Sequence, residues 1–271
     1  MDRALVIAVV VGVLQGVLEW LPVSSEGNVA LYLVVVEGAD PALAVQLSLF
    51  LHAGTGVAAL AYYRDTFGNV LRELPAWRPG TAFGADTATL SFLAAATAAS
   101  ALVGALAYRF VTAVVTDLAG GAFVALIGAL LVVTGLVQRV GEGWVADRTD
   151  PSLTDALLVG ALQGLALLPG VSRSGVTVGA LLLRGHDGPR SFRLSFLLSV
   201  PAAFGAGALV LVDGGVPAVA PTAGGVALVV SAVVGYATID ALLRVVRRVE
   251  FWGVAVGLGL LAVVGGLAAV V

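Results

Sequence analysis

Apolar residues run along this chain in long blocks separated by short polar interruptions. A helix needs about 20 apolar residues to cross the hydrocarbon core of a bilayer. On that ruler, full spans are predicted at about 42–63, 89–108, 118–137, 194–212, 223–243 and 251–271. Two blocks do not fit. The first, 4–36, is too long for one span and is interrupted at Gln15, Glu19, Pro22 and the Ser-Ser-Glu-Gly-Asn run at 24–28. The second, 153–183, carries Pro169, Gly170, Gly175 and an arginine. Irregular backbone at membrane depth is tolerated only where protein buries it or it lines a wet cavity. Each block is therefore read as a broken, re-entrant helical hairpin that enters and leaves on the same side.

The order is hairpin plus three spans, twice, and the hairpins match in sequence at an offset of 148. Leu14-Gln15-Gly16 corresponds to Leu162-Gln163-Gly164, Val23-Ser24 to Val171-Ser172, and Gly27 to Gly175; Pro22 and Pro169 are one residue out of that register. Three is an odd number of spans, so the second repeat is expected upside down relative to the first. Inverted repeats with discontinuous helices place their binding sites at the breaks. The expected architecture is an all-α integral membrane protein of six full spans and two hairpins, with repeats at 1–137 and 153–271.

Composition agrees: 59% of the 271 residues are hydrophobic and 11% charged, against about 25% charged in soluble domains. No cysteine is present, which excludes disulfides and a thiol nucleophile. The net charge of −3 and the lack of a basic domain argue against a nucleic-acid partner. No cleavable signal peptide is expected, since the apolar N-terminus runs straight into the polar motif. All 14 basic residues are arginine. Eleven fall on one predicted side, in loops 64–88, 138–152, 184–193 and 244–250 (Arg64, Arg72, Arg78, Arg139, Arg148, Arg184, Arg190, Arg193, Arg244, Arg247, Arg248), and only Arg3 and Arg109 on the other. The positive-inside bias puts the arginine-rich side in the cytoplasm and both termini outside.

The remaining arginine is Arg173, inside the second hairpin. At bilayer depth it costs about 2.5–3.5 kcal/mol, which makes it a functional-site candidate. Its neighbours Ser172, Ser174 and Thr177 supply hydroxyls, and a half-helix expected to start near Gly175 aims free N–H groups at the same loop, an anion site. A guanidinium adds a bidentate fork for phosphate oxygens. The competing structural role is a strut, Arg173 pairing with Glu19 across the hairpins. In the first hairpin, Gln15 and Glu19 share a helix face at i, i+4. Gln15 suits a tie inside a bundle; Glu19 is a costly buried carboxylate, suited to general-base work or to a hard cation such as magnesium or calcium. Ser24 and Ser25 suit helix capping as well as chemistry. His52, mid-span, either hydrogen-bonds within the bundle or joins the site. His186 is expected to be solvated in a loop.

These residues carry a resemblance. The chain looks like the undecaprenyl-diphosphate phosphatase family of the bacitracin-resistance type. Gln15 and Glu19 match the family's Glu/Gln-x-x-x-Glu; the Leu-Pro-Val-Ser-Ser at 21–25 matches the stretch that follows; Pro-Gly-Val-Ser-Arg-Ser-Gly-Val-Thr at 169–177 matches its second motif without a gap; and Leu-His-Ala-Gly-Thr at 51–55 resembles a further family pattern. The resemblance extends over essentially the whole chain. It implies a plasma-membrane enzyme that hydrolyses a polyprenyl diphosphate to the monophosphate and inorganic phosphate, recycling the lipid carrier of cell-envelope glycan synthesis, with a divalent cation and with a homodimer allowed for. It implies Arg173 on the diphosphate, Glu19 as acid–base or metal-associated residue and Ser25 as candidate nucleophile. Gln15, Ser24, Asn28, Ser172, Ser174 and Thr177 are then expected near the substrate, with Glu26 and His52 as further candidates. Asn28 stands where family members commonly carry a histidine, and asparagine shuttles no proton, so Glu26 or Glu19, or direct attack by water, takes that part. A flippase or transporter for a polyprenyl phosphate is the rival class.

Overall fold

The computed structural model describes residues 2–115, 118, 120–141, 148–213, 215, 217, 219–246 and 249–270. These are overwhelmingly helical, with no strand among them. Among the described residues, five helices are long and apolar enough to cross a bilayer: α3 (Pro41–Tyr62), α5 (Ala88–Phe110), α6 (Gly120–Gly141), α9 (Gly188–Asp213) and α10 (Pro221–Val246). Many outward side chains on them are large and apolar, among them Leu102, Leu106, Val133 and Val229, as a lipid-facing surface requires. The protein is a multi-pass integral membrane protein. The sixth expected span is α11 (Trp252–Val270), apolar but, at 19 residues, the shortest of the long helices.

Both interrupted blocks are pairs of short helices. α1 (Arg3–Leu18) and α2 (Ser25–Leu31) flank the first break, with a π-helical turn (Tyr32–Val36) after α2; α7 (Leu153–Leu165) and α8 (Arg173–Leu183) flank the second. Pro22 lacks a helix donor, and Ser24 takes the left-handed conformation at φ 58° while its hydroxyl caps α2 by accepting from Gly27 N. At the second break Gly170 adopts φ 103°, and Ser172 caps α8 by accepting from Gly175 N. The half-helix thus starts at Arg173, two residues before the glycine the sequence points to, because the cap is the serine.

The loop at 64–88 contains a further helix, α4 (Arg64–Leu71), and two single 3₁₀ turns. The loop expected at 184–193 is shorter, since α9 already begins at Gly188 and carries Arg190 and Arg193. Arg247 and Arg248 lie outside the described residues, as do 142–147 within the loop at 138–152.

Packing crosses between the halves of the chain. α1 lies against α10, α7 against α5, α3 against α9, and α6 against α11. Water cannot drive helix association in lipid, so close approach of small residues does. Gly16 abuts Gly235 and Val234 of α10; Gly164 abuts Gly104 and Val103 of α5; Gly128 and Gly259 meet between α6 and α11.

Candidate active site

The two breaks meet inside the bundle, and a carboxylate joins them. Glu19 follows the last turn of α1, its N–H still bonded to Gln15 O, and is 6% exposed. Its Oε1 accepts from Arg173 Nη2 at 2.9 Å. Its Oε2 accepts from Gln15 Nε2 at 3.0 Å and from Ser25 Oγ at 2.7 Å. His52 Nε2, from α3, stands 3.4 Å from the same oxygen. His52 Nδ1 lies 2.8 Å from Ser48 O; a carbonyl only accepts, so Nδ1 carries the hydrogen and Nε2 is the ring nitrogen turned toward Glu19. Arg173, the first residue of α8, also donates from Nη1 to Ser195 O at 3.3 Å.

Around this pair lies a small polar pocket of about 20 Å³, to which Ser24, Ser25, Glu26, Ser172 and Ser174 contribute. Glu19, Glu26, His52 and Arg173 also border a cavity of about 350 Å³ whose further walls, on α3, α5, α9 and α7 with the turn after it, are mostly apolar: Leu49, Ala101, Leu167, Ala203, Leu209 and Val212. Ionic chemistry thus sits at the head of an apolar tunnel.

Of the other residues singled out in the sequence, three serve behind the pocket. Gln15 is fully buried and holds Glu19. Asn28 donates from Nδ2 to Val23 O at 2.7 Å and to Ser24 O at 2.9 Å, which fixes the turn presenting Ser24 and Ser25. Thr177 Oγ1 donates to Arg173 O at 2.8 Å and meets Ser195 Oγ at 2.7 Å, bracing α8 against α9. None of the three lines either cavity.

His186 departs from expectation. It is buried, not solvated, with Nε2 3.3 Å from the fully buried Asp155, which also accepts from Arg184 Nε at 2.6 Å. The cause is a Schellman ending of α8: Gly185 takes φ 86°, and His186 N bonds to Leu181 O while Gly185 N bonds to Leu182 O. This turn folds the ring back under the N-terminus of α7.

Sequence reasoning missed the helix that clamps the breaks. On α6, Gln138 Nε2 donates to Pro22 O at 2.8 Å, Thr134 Oγ1 donates to Gly170 O at 3.3 Å, and Ser172 N donates to Thr134 Oγ1 at 3.2 Å. The available signal was the i, i+4 spacing of Thr134 and Gln138 across the end of the apolar block at 118–137.

Comparison with known proteins places the chain in a family. Residues 8–264 match the family model described as Bacitracin resistance protein BacA. A protein of Haloarcula marismortui named undecaprenyl-diphosphatase is 57% identical over 266 residues, covering 97% of both chains. Proteins of the same name from Methanococcoides burtonii and Methanopyrus kandleri are 37% and 38% identical, each over at least 94% of this chain. With the match spanning both breaks and running from α1 into α11, the chain belongs to the BacA family of bacitracin resistance proteins.

Proposed function

We propose that this site hydrolyses a polyprenyl diphosphate of the undecaprenyl type to the monophosphate and inorganic phosphate, recycling a lipid carrier at the plasma membrane. The observation that carries this reading is the Glu19–Arg173–Ser25 cluster at the head of an apolar cavity of about 350 Å³. The cavity suits the first units of a prenyl tail, with the remainder in lipid, and the polar pocket suits the headgroup.

Arg173 and the N–H groups opening α8 face the phosphoryl oxygens, where transition-state charge builds. Ser25 Oγ attacks the terminal phosphorus and its proton passes to Glu19 Oε2, the atom it already donates to. The bridging P–O bond breaks and the polyprenyl monophosphate leaves. Water then attacks the phosphoserine; the P–Oγ bond breaks, Ser25 recovers its proton from Glu19, and inorganic phosphate departs with the oxygen of water. His52 Nε2, beside Glu19, supplies a second proton-exchanging group in place of the histidine that Asn28 replaces.

A divalent cation fits the donor set. Among the described residues no group of three His, Cys, Asp or Glu side chains is arranged for a metal, but magnesium commonly takes one or two carboxylates and completes its shell with water and substrate phosphates. Glu19 and Glu26 provide two hard oxygen donors on the polar pocket. When bound there, such a cation would offset the negative charge of the diphosphate facing two carboxylates.

The same reading places repeats at 1–137 and 153–271, inverted about the site, with each hairpin re-entrant. Support comes from the exchange of partners, α1 on α10 and α7 on α5. Further support is that Gly12, Gly16, Gly160 and Gly164, two pairs 148 apart, all sit at those crossings. With the arginine-rich loops in the cytoplasm, both termini lie outside and the cavity, which follows α9 up to Val212, faces the outer side.

Phosphate release from a long-chain polyprenyl diphosphate by the purified protein tests the proposal. Release that depends on Glu19 and Arg173 is expected. Lipid movement across vesicles without phosphate release would assign the site to transport instead.

A further inference from the structure

Glu26 is the acid of the site that has no counter-charge. It lies at the second residue of α2 and is 3% exposed. Its Oε1 is buried without a hydrogen-bond partner, and it borders both the polar pocket and the apolar cavity. None of the neighbouring donors bonds Glu26 Oε1. Arg173 gives Nη2 to Glu19 and Nη1 to Ser195 O. His52 gives Nδ1 to Ser48 O and turns Nε2 to Glu19. The hydroxyls of Ser24 and Ser172 are turned to the capped amides of Gly27 and Gly175, and neither bonds Glu26 Oε1.

Glu19 is in the opposite condition. Both its oxygens are engaged, by Arg173 on one side and by Gln15 and Ser25 on the other, and the guanidinium neutralises it. A cation drawn to this pocket therefore finds an uncompensated carboxylate at position 26 and an already paired one at position 19. An unpaired buried carboxylate is costly, and hard divalent cations take carboxylate oxygens.

We infer that Glu26 supplies the carboxylate ligand for a divalent cation of the magnesium or calcium class, and that Glu19 keeps its ion pair with Arg173 as the proton acceptor. The pocket of about 20 Å³ has room for an ion or a single water, and the remaining positions fall to water and to the phosphoryl oxygens. The inference deepens the phosphatase reading and rests on it for what the bound ion does.

The test is manganese binding to the purified, detergent-solubilised full chain without lipid, followed by electron paramagnetic resonance, with thermal unfolding as a second readout. The wild-type protein is expected to bind Mn²⁺ and to gain thermal stability from it, as any ligand of the folded state confers. Glu26→Gln is expected to weaken binding by more than about tenfold, the scale already seen when an outer-shell partner is lost, and to abolish the stability gain. Glu26→Asp is expected to retain part of both. Mn²⁺ binding by Glu26→Gln equal to wild type would overturn the assignment. So would an infrared band of a protonated carboxylic acid that Glu26→Gln removes, since a proton would then hold the place of the ion. Mn²⁺ bound through Glu26 in a protein that releases no phosphate would uphold the cation site and sink the phosphatase reading alone.

Discussion

Arg173 and Glu19 were legible in the sequence because each is expensive where it stands. A guanidinium and a carboxylate inside apolar blocks demand a partner or a task, and here each is the other's partner at 2.9 Å. The roles of Asn28 and Thr177 were not legible, because they depend on which way a turn points its carbonyls. His52 was half-legible: its residue type was suggestive, but its approach to Glu19 depends on how α3 crosses the breaks. Removing a preorganised donor typically costs about 10²–10³ in rate, so Arg173→Ala is expected to lose that much phosphate release while still inserting and folding. Arg173→Lys is expected to fail comparably, because a point charge does not reproduce the planar fork; wild-type turnover by the lysine variant would reduce Arg173 to a diffuse charge. Glu19→Gln is expected to lower turnover by about 10²–10⁴, the usual range for a positioned acid–base group. Ser25→Ala separates the two nucleophiles: trapping a phosphoprotein in wild type but not in this variant supports the serine, and near-normal turnover by the variant would assign the attack to water.

At the scale of elements, the helix breaks were predictable and their fastening was not. Proline, glycine and the serine caps mark 19–24 and 166–172 from local chemistry alone. What holds them in register is α6, more than a hundred residues from the first break, through Gln138 on Pro22 O and Thr134 on Gly170 O and Ser172 N. Losing one such bond leaves a buried carbonyl unsatisfied, at about 1–3 kcal/mol. Gln138→Leu and Thr134→Val are therefore expected to lower both the melting temperature and the phosphate-release rate without touching substrate, and unchanged values for both would show that the breaks hold themselves. The glycine crossings give a sharper case. A Cβ on Gly16 would stand 2.8 Å from Gly235 N, and one on Gly164 would stand 2.7 Å from Gly104 N, both backbone atoms with nowhere to go. Overpacking of this kind costs about 1–3 kcal/mol, so Gly16→Val and Gly164→Val are expected to destabilise to a similar degree, as measured by thermal unfolding in detergent. A large effect at one crossing and none at the other would count against equivalent roles for α1 and α7.

At the scale of the molecule, the orientation in the membrane decides from which side a diphosphate reaches the site. The arginine-rich segments join the start of α5 and α9 to their neighbours, while the cavity follows the later parts of the same helices, from Thr97 to Gly104 on α5 and up to Val212 on α9. Tyr108 Oη donates to Asp213 at 3.0 Å and ties the two helices together at that end. If the arginines face the cytoplasm, the tunnel therefore opens in the outer half of the bilayer, and the second hairpin carries Arg173 in from the cytoplasmic side to meet Glu19, carried in by the first hairpin from outside. The chain has no cysteine, so single reporters are unambiguous. Gly80, in the long arginine-bearing loop, and Gly120, at the opposite end of α6, are both exposed with open space where a Cβ would go. Gly80→Cys is expected to resist an impermeant maleimide in intact cells and to react after lysis, while Gly120→Cys reacts in both. Labelling of Gly80→Cys from outside would invert the molecule, turn the tunnel to the cytoplasm, and require the lipid diphosphate to be cleaved from the inner leaflet.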